Sequence, residues 1–146
     1  MSGINLGIIG GGQLGSLLSV AAKKLNINTI IYCDDFDAPA QNFCEQFIYG
    51  DYNDKNKILE FLNKVDLITY EFENIPYETL NEMNKIKTVI PKPSVNRLIQ
   101  HRLAEKDFIN KLNIRTTRYV SIEKKNRSRY FRKFFTGNFK NYNNGL

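Results

Sequence analysis

The sequence predicts an α/β fold, an open and doubly wound parallel sheet with helices on both faces. Three features of the 146 residues predict it. Short apolar runs alternate with helical patterns, the order that builds parallel βαβ units. A Gly-x-Gly-x-x-Gly turn joins the first run to the first helical pattern. The runs themselves are apolar with little alternation, as in strands covered on both faces.

Residues 4–9 (INLGII) form the first expected strand, and Gly10-Gly11-Gly12-Gln13-Leu14-Gly15 follows directly. Leu14, Leu17, Leu18, Ala21, Ala22 and Leu25 then recur at three- and four-residue spacing, predicting an amphipathic helix whose leucines pack on the sheet. A second strand is expected at 27–33, a loop at 34–40 and a third strand at 46–49. Ile58, Leu59, Leu62 and Val65 mark a second helix stripe. A fourth strand is expected at 66–72 and a third helix at 76–84, with Pro76 in its first turn. A fifth strand at 87–90 is stopped by Pro91 and Pro93. Ser94 caps one further helix to about Lys111, and 116–122 reads as a strand opening a new unit.

Composition narrows the function classes. Hydrophobic residues make up 42% and charged residues 25%, which is ordinary for a globular protein. Cys33 and Cys44 are too few and too far apart for a disulfide framework or a zinc site, and read as buried or half-buried thiols. No apolar run reaches the roughly 18 residues of a membrane span, and no basic stretch precedes the first apolar segment. A cytoplasmic protein with no membrane partner is expected.

The net charge of +6 is unevenly placed. Residues 126–146 hold Arg127, Arg129, Arg132, Lys133 and Lys140 and no acid, while the other 125 residues carry 16 basic and 15 acidic groups. Basic residues interleaved with aromatics suit a single-stranded nucleic acid. A solvated end explains the tail as well, and no nucleic-acid partner is expected.

The glycine turn carries the first functional signal. Gly10, Gly12 and Gly15 let the backbone turn tightly and approach a ligand, and a helix N-terminus offers free N–H groups to an anion. With Asp34 and Asp35 after the second strand, where an acid would hold a ribose, a nicotinamide-dinucleotide oxidoreductase is one reading. Glycines serving only close helix–strand packing are a second. Phosphate or carboxylate binding in another enzyme class is a third.

Thr69-Tyr70-Glu71-Phe72-Glu73-Asn74-Ile75-Pro76 ends the fourth strand, on the side where open α/β sheets bind ligands. Glu71 and Glu73, two apart on an extended segment, would face one side and receive amino or hydroxyl groups. An exposed acidic strand end is the plainer alternative. Farther on, Arg102 suits a phosphate, and His101 beside it reads as a surface or packing residue.

In this order, GIIGGGQLG, the DAPA loop, TYEFENIP and RLAEKDFINKLNIRT resemble the N-terminal part of the ATP-grasp N5-carboxyaminoimidazole ribonucleotide synthases, over residues from about 4 to 125. The resemblance implies a Rossmann-like pre-ATP-grasp domain at 1–95, a linking helix and first strand of an ATP-grasp domain at 96–125, and an aberrant basic-aromatic tail at 126–146. It implies ATP- and bicarbonate-dependent carboxylation of 5-aminoimidazole ribonucleotide in purine synthesis, with magnesium neutralising the phosphates, and it allows a homodimer. Gly12, Gln13, Leu14, Glu71, Glu73 and Asn74 match substrate-side positions, and Arg102 matches an arginine that reaches ATP. No catalytic residue and no metal ligand is carried over. Ser16 departs from the pattern, since relatives often have Arg there.

Where that family continues with a lysine-bearing strand and a glycine-rich ATP loop, this chain has FTGNFKNYNNGL. The genetic code lets the next reading frame beneath these residues encode LPAILKTTTMGYD, and Glu123-Lys124-Lys125-Asn126 is encodable by a run of adenines. Residues from about Asn126 onward are therefore expected to be a frameshifted translation. The chain alone, lacking the family's ATP clamp, is expected not to carboxylate.

Overall fold

The computed structural model describes residues 3–119. The chain divides into two compact units, the first ending at Leu98 and the second beginning at Ile99.

In the first unit four parallel strands, β1 (Asn5–Ile9), β2 (Asn28–Cys33), β3 (Gln46–Tyr49) and β4 (Leu67–Tyr70), lie in the order β3-β2-β1-β4. The chain winds outward from β1 in one direction to β2 and β3, then returns to place β4 on its other side. Ile9 of β1 is paired with Tyr32 of β2 and with Tyr70 of β4, so these strands end level with one another.

Alternation along the strands sends side chains to both faces. Ile9, Ile30, Tyr32, Ile48 and Ile68 meet Phe61, Leu62, Val65, Leu80 and Met83 on one face, beneath α2 (Lys55–Leu62) and α3 (Tyr77–Ile86). Ile8, Ile31 and Cys33 meet Ala38 and Ala40 on the other, beside α1 (Gln13–Lys24) and the 3-10 turn Pro39–Asn42. The doubly wound parallel sheet is thus as the sequence predicts.

Helix α1 reverses one expectation. Its leucines do not pack on the sheet: Leu14, Leu17 and Leu25 are more than half exposed, and Gly15, Ser16, Ser19 and Ala22 form the inner face. Close approach explains this. A Cβ on Gly15 would lie 2.6 Å from the Gly10 carbonyl oxygen and 3.6 Å from Ala40. Only small side chains fit, and the two serines lose their polarity by bonding back along the helix, Ser16 Oγ to Gly12 O at 3.1 Å and Ser19 Oγ to Gly15 O at 3.0 Å.

Four further expectations change. In α2, Leu59 is exposed and Phe61 is fully buried, because Phe61 fills the space above Gly7 and packs on Tyr32 at 5.5 Å between ring centroids. The fifth strand shrinks to one parallel bridge between Val89 and Ile68, ended by Pro91, which has no N–H to continue a ladder. The single helix expected from Ser94 is two, α4 (Pro93–Ile99) and α5 (Arg102–Lys111). The break falls at His101, whose extended backbone and Nδ1, accepting from Ala104 N at 3.3 Å, cap α5. Residues 116–119 form no strand, and 120–122 lie outside the described residues, as does the whole tail at 126–146. Among the described residues no helix is long and apolar enough to cross a membrane.

Candidate functional site at the carboxyl ends of β1 and β4

Strand order reverses at β1, so the crevice of an open sheet opens between the carboxyl ends of β1 and β4. The register brings Gly10 and Glu71 out of these neighbouring strands side by side. Glu71 N donates to Ile9 O at 3.2 Å, one residue past the end of β4, and Gly10 N donates to Tyr32 O at 2.9 Å.

Each residue of the turn answers to a neighbour. Gly10 has φ +106°, in the region that disfavours side chains, and a Cβ there would lie 2.7 Å from Glu71 Oε1. Gly11 is buried, with Ala38 and Cys33 where its Cβ would stand. Its carbonyl accepts from Ala40 N at 3.0 Å, so the DAPA loop braces the turn. Gly12 is the extended N-cap of α1 and has no side chain with which to cap it. The anion comes instead from across the sheet, with Gly12 N donating to Glu71 Oε1 at 3.3 Å.

That contact defines the site. The α1 N-terminus presents the partial positive charge and free N–H that would draw a phosphate. Here a carboxylate of the same chain is already seated on it. Glu71 Oε2 makes no hydrogen bond among the described residues and remains an acceptor at the mouth of the crevice. Gln13 and Leu14, which open α1, are exposed beside it, as are Glu73 and Asn74 in the turn after β4. The Glu73 carbonyl accepts from the side chain of Asn96 at 3.0 Å, and Ile75 anchors the turn in the core.

The acids after β2 have other neighbours. Asp35 N donates to Cys33 Sγ at 3.5 Å, and Asp34 lies beside Tyr52. Burial pushes the Cys33 thiol up from its ordinary value, against the pull of the Asp35 and Gly11 amides. Burial, reinforced by Cys33 and Asp34, likewise raises the Tyr52 hydroxyl. Among the described residues no group of three His, Cys, Asp or Glu side chains could hold a metal ion.

Arg102 opens α5 in the second unit, where its Nη1 pairs with Glu105 Oε2 at 2.9 Å. The structure thus brings Gly12 and Glu71 into contact and keeps Gln13 and Leu14 beside them. Sequence reasoning missed Asn96, which is fully buried. Its signal was a carboxamide inside the apolar stripe of Val95, Leu98 and Ile99.

A second hollow, of about 410 Å³, opens at the amino ends of the strands, among Asn5, Asn28, Glu45, Gln46, Asn63 and Lys64. Three of its polar side chains are engaged: Glu45 Oε2 accepts from Thr29 N at 2.7 Å, and Asn28 Nδ2 donates to Asn5 Oδ1 at 3.0 Å.

Known proteins share this frame. An N5-carboxyaminoimidazole ribonucleotide synthase of Brucella melitensis is 37% identical over 114 residues, 78% of this chain and 32% of that protein. A bifunctional purine synthesis protein purC/E of Dictyostelium discoideum is 37% identical over 121 residues, 83% of this chain and 12% of its own length. The crystal structure of N5-carboxyaminoimidazole synthetase from Staphylococcus aureus complexed with ADP superimposes with a TM-score of 0.75 at 30% identity, covering 83% of this chain and 33% of that one. The chain spans about a third of the length of the synthases it matches. Residues 3–100 match the model of the ribonucleotide synthetase preATP-grasp domain, and the chain belongs to that family.

Proposed function

We propose that the first unit is the ribonucleotide-binding side of an ATP- and bicarbonate-dependent ligase. The reaction is carboxylation of 5-aminoimidazole ribonucleotide to N5-carboxyaminoimidazole ribonucleotide in purine synthesis. The likeness to the synthases over most of this chain supports that reading. The observation that carries it is the Glu71 carboxylate seated on Gly12 N–H. A dinucleotide-binding domain needs that N–H for a pyrophosphate. With Glu71 in place the crevice offers instead a fixed acceptor, Oε2, to a ligand that brings N–H or O–H groups. An amine-bearing ribonucleotide has both.

The role of these residues is binding and orientation. Gly12 holds Glu71 in one rotamer, so less side-chain freedom is lost when the ligand arrives. Gln13 and Asn74 offer carboxamides that can both donate and accept, Glu73 a second carboxylate, and Leu14 an apolar edge. Arg102 is the proposed contact to the ATP phosphates, on the strength of the resemblance. The described residues do not themselves fit magnesium, since they include no group of three acids, histidines or cysteines that could hold it. No catalytic step is assigned to them. A cytoplasmic location and no nucleic-acid partner belong to the same proposal.

Calorimetric titration tests the reading. The chain should bind 5-aminoimidazole ribonucleotide, and Glu71→Ala should weaken binding about tenfold, the equivalent of ~1.4 kcal/mol. NADH should not bind. Binding of NADH with none of the ribonucleotide would replace this reading with the oxidoreductase one.

A further inference from the structure

One buried residue holds the segment that presents Glu71. Asn96 lies on α4 with no exposed surface, a rare place for a carboxamide. Its Nδ2 donates to the Glu73 carbonyl at 3.0 Å. Its main-chain N–H lies near the Tyr70 hydroxyl without completing a hydrogen bond to it. Tyr70 and Glu73 bracket Glu71 in the chain, so a single residue touches the segment on both sides of the acid. Asn96 Oδ1 and Tyr70 Oη are both buried without a hydrogen-bond partner. Such groups lower stability, by desolvation without compensation. An apolar residue on α4 would pack more favourably but could not donate to the Glu73 carbonyl.

We propose that Asn96 is a positioning residue for the ligand site, fixing the Tyr70–Glu73 segment so that the Glu71 carboxylate meets Gly12 N–H. The inference rests on the reading that Glu71 faces the ribonucleotide, and the experiment separates the two. Asn96→Ala and Asn96→Asp, the second nearly isosteric, are made in the full chain. The Gly12 amide resonance reports the Glu71 contact directly, with Glu71→Gln as reference. Asn84→Ala is the control for a purely structural amide, since Asn84 Oδ1 accepts from Val89 N at 3.0 Å, away from the acidic turn.

In both Asn96 variants the Gly12 resonance should move toward its position in Glu71→Gln, and ribonucleotide affinity should fall about tenfold. Asn84→Ala should lower the melting temperature and leave Gly12 unmoved. A Gly12 resonance unchanged in the Asn96 variants, with wild-type affinity, overturns the positioning role and leaves the proposed function standing. A shifted Gly12 in a chain that never binds the ribonucleotide does the reverse. Loss of the fold in both variants also overturns it, by making Asn96 structural.

Discussion

Replacing Gly10 by alanine strikes the fold and the site at the same point. Gly10 has φ +106°, and holding an alanine there costs about 1–3 kcal/mol of backbone strain. The new Cβ would also stand 2.7 Å from Glu71 Oε1 and 3.1 Å from its Cδ. The carboxylate is the mobile partner, so it swings away and the Gly12 hydrogen bond breaks. A hydrogen bond to a partly exposed charged group at a helix N-terminus contributes roughly 1 kcal/mol. Gly10→Ala should therefore cost about 2–4 kcal/mol.

Glu71→Ala removes the same hydrogen bond by another route and should cost about 1 kcal/mol alone. The two losses overlap. In the Glu71→Ala background the new methyl meets no carboxylate, and only the strain remains. The double variant should be no less stable than Gly10→Ala, a coupling of about 1 kcal/mol, within the range for residues in contact. Urea unfolding of the four proteins, followed by circular dichroism, measures it. Costs that add without coupling would show that Glu71 does not rest on the glycine turn in solution, and the case against a dinucleotide would fall with it.

Three other outcomes follow from the same structure. Gly7→Ala places a Cβ 2.5 Å from Phe61 Cζ and 3.0 Å from Val65, and overpacking of that core should cost about 1–3 kcal/mol in urea unfolding. Glu45 is held below the usual carboxylate range chiefly by the Thr29 amide. Its contribution to stability is present above the ordinary glutamate value and fades as pH falls through the depressed one, so Glu45→Gln should flatten the acid limb of a stability–pH curve. Cys33 is 5% exposed and its thiol is raised by burial, so at pH 8 it should be alkylated at least about tenfold more slowly in the native chain than in urea.

Four of the apolar runs read as strands form β1 to β4, while the run at 87–90, cut short by Pro91, keeps a single bridge. Residues 46–49 match β3 at both ends. Helix α1 was legible in extent and misleading in orientation. Hydrophobic periodicity assumes that burial selects large apolar side chains, but at this helix the approach of the glycine turn selects small ones. A serine whose hydroxyl bonds to its own helix counts as small and nearly apolar, and composition does not show that. The helix from Ser94 was read as continuous because leucines and isoleucines run through it, while the break depends on the backbone of a single residue, His101. Glu71 was visible as an acid at a strand end. Its partner was not, because contact with Gly12 follows from strand order rather than from spacing.

The strand order joins the two motifs. Because β4 returns to the far side of β1, the residue following β4 must stand beside the residue following β1. A glycine there leaves a hollow over the first turn of α1, and the next strand decides what fills it. A short or neutral side chain after β4 would leave the helix N-terminus to an external anion. A glutamate reaches Gly12 N from within the chain and takes one of its amides. The Gly-x-Gly-x-x-Gly turn is therefore not a phosphate signal in itself. In this chain the residue after β4 takes the Gly12 N–H with one carboxylate oxygen, and under the proposed function its other oxygen faces the amine and hydroxyls of the ligand.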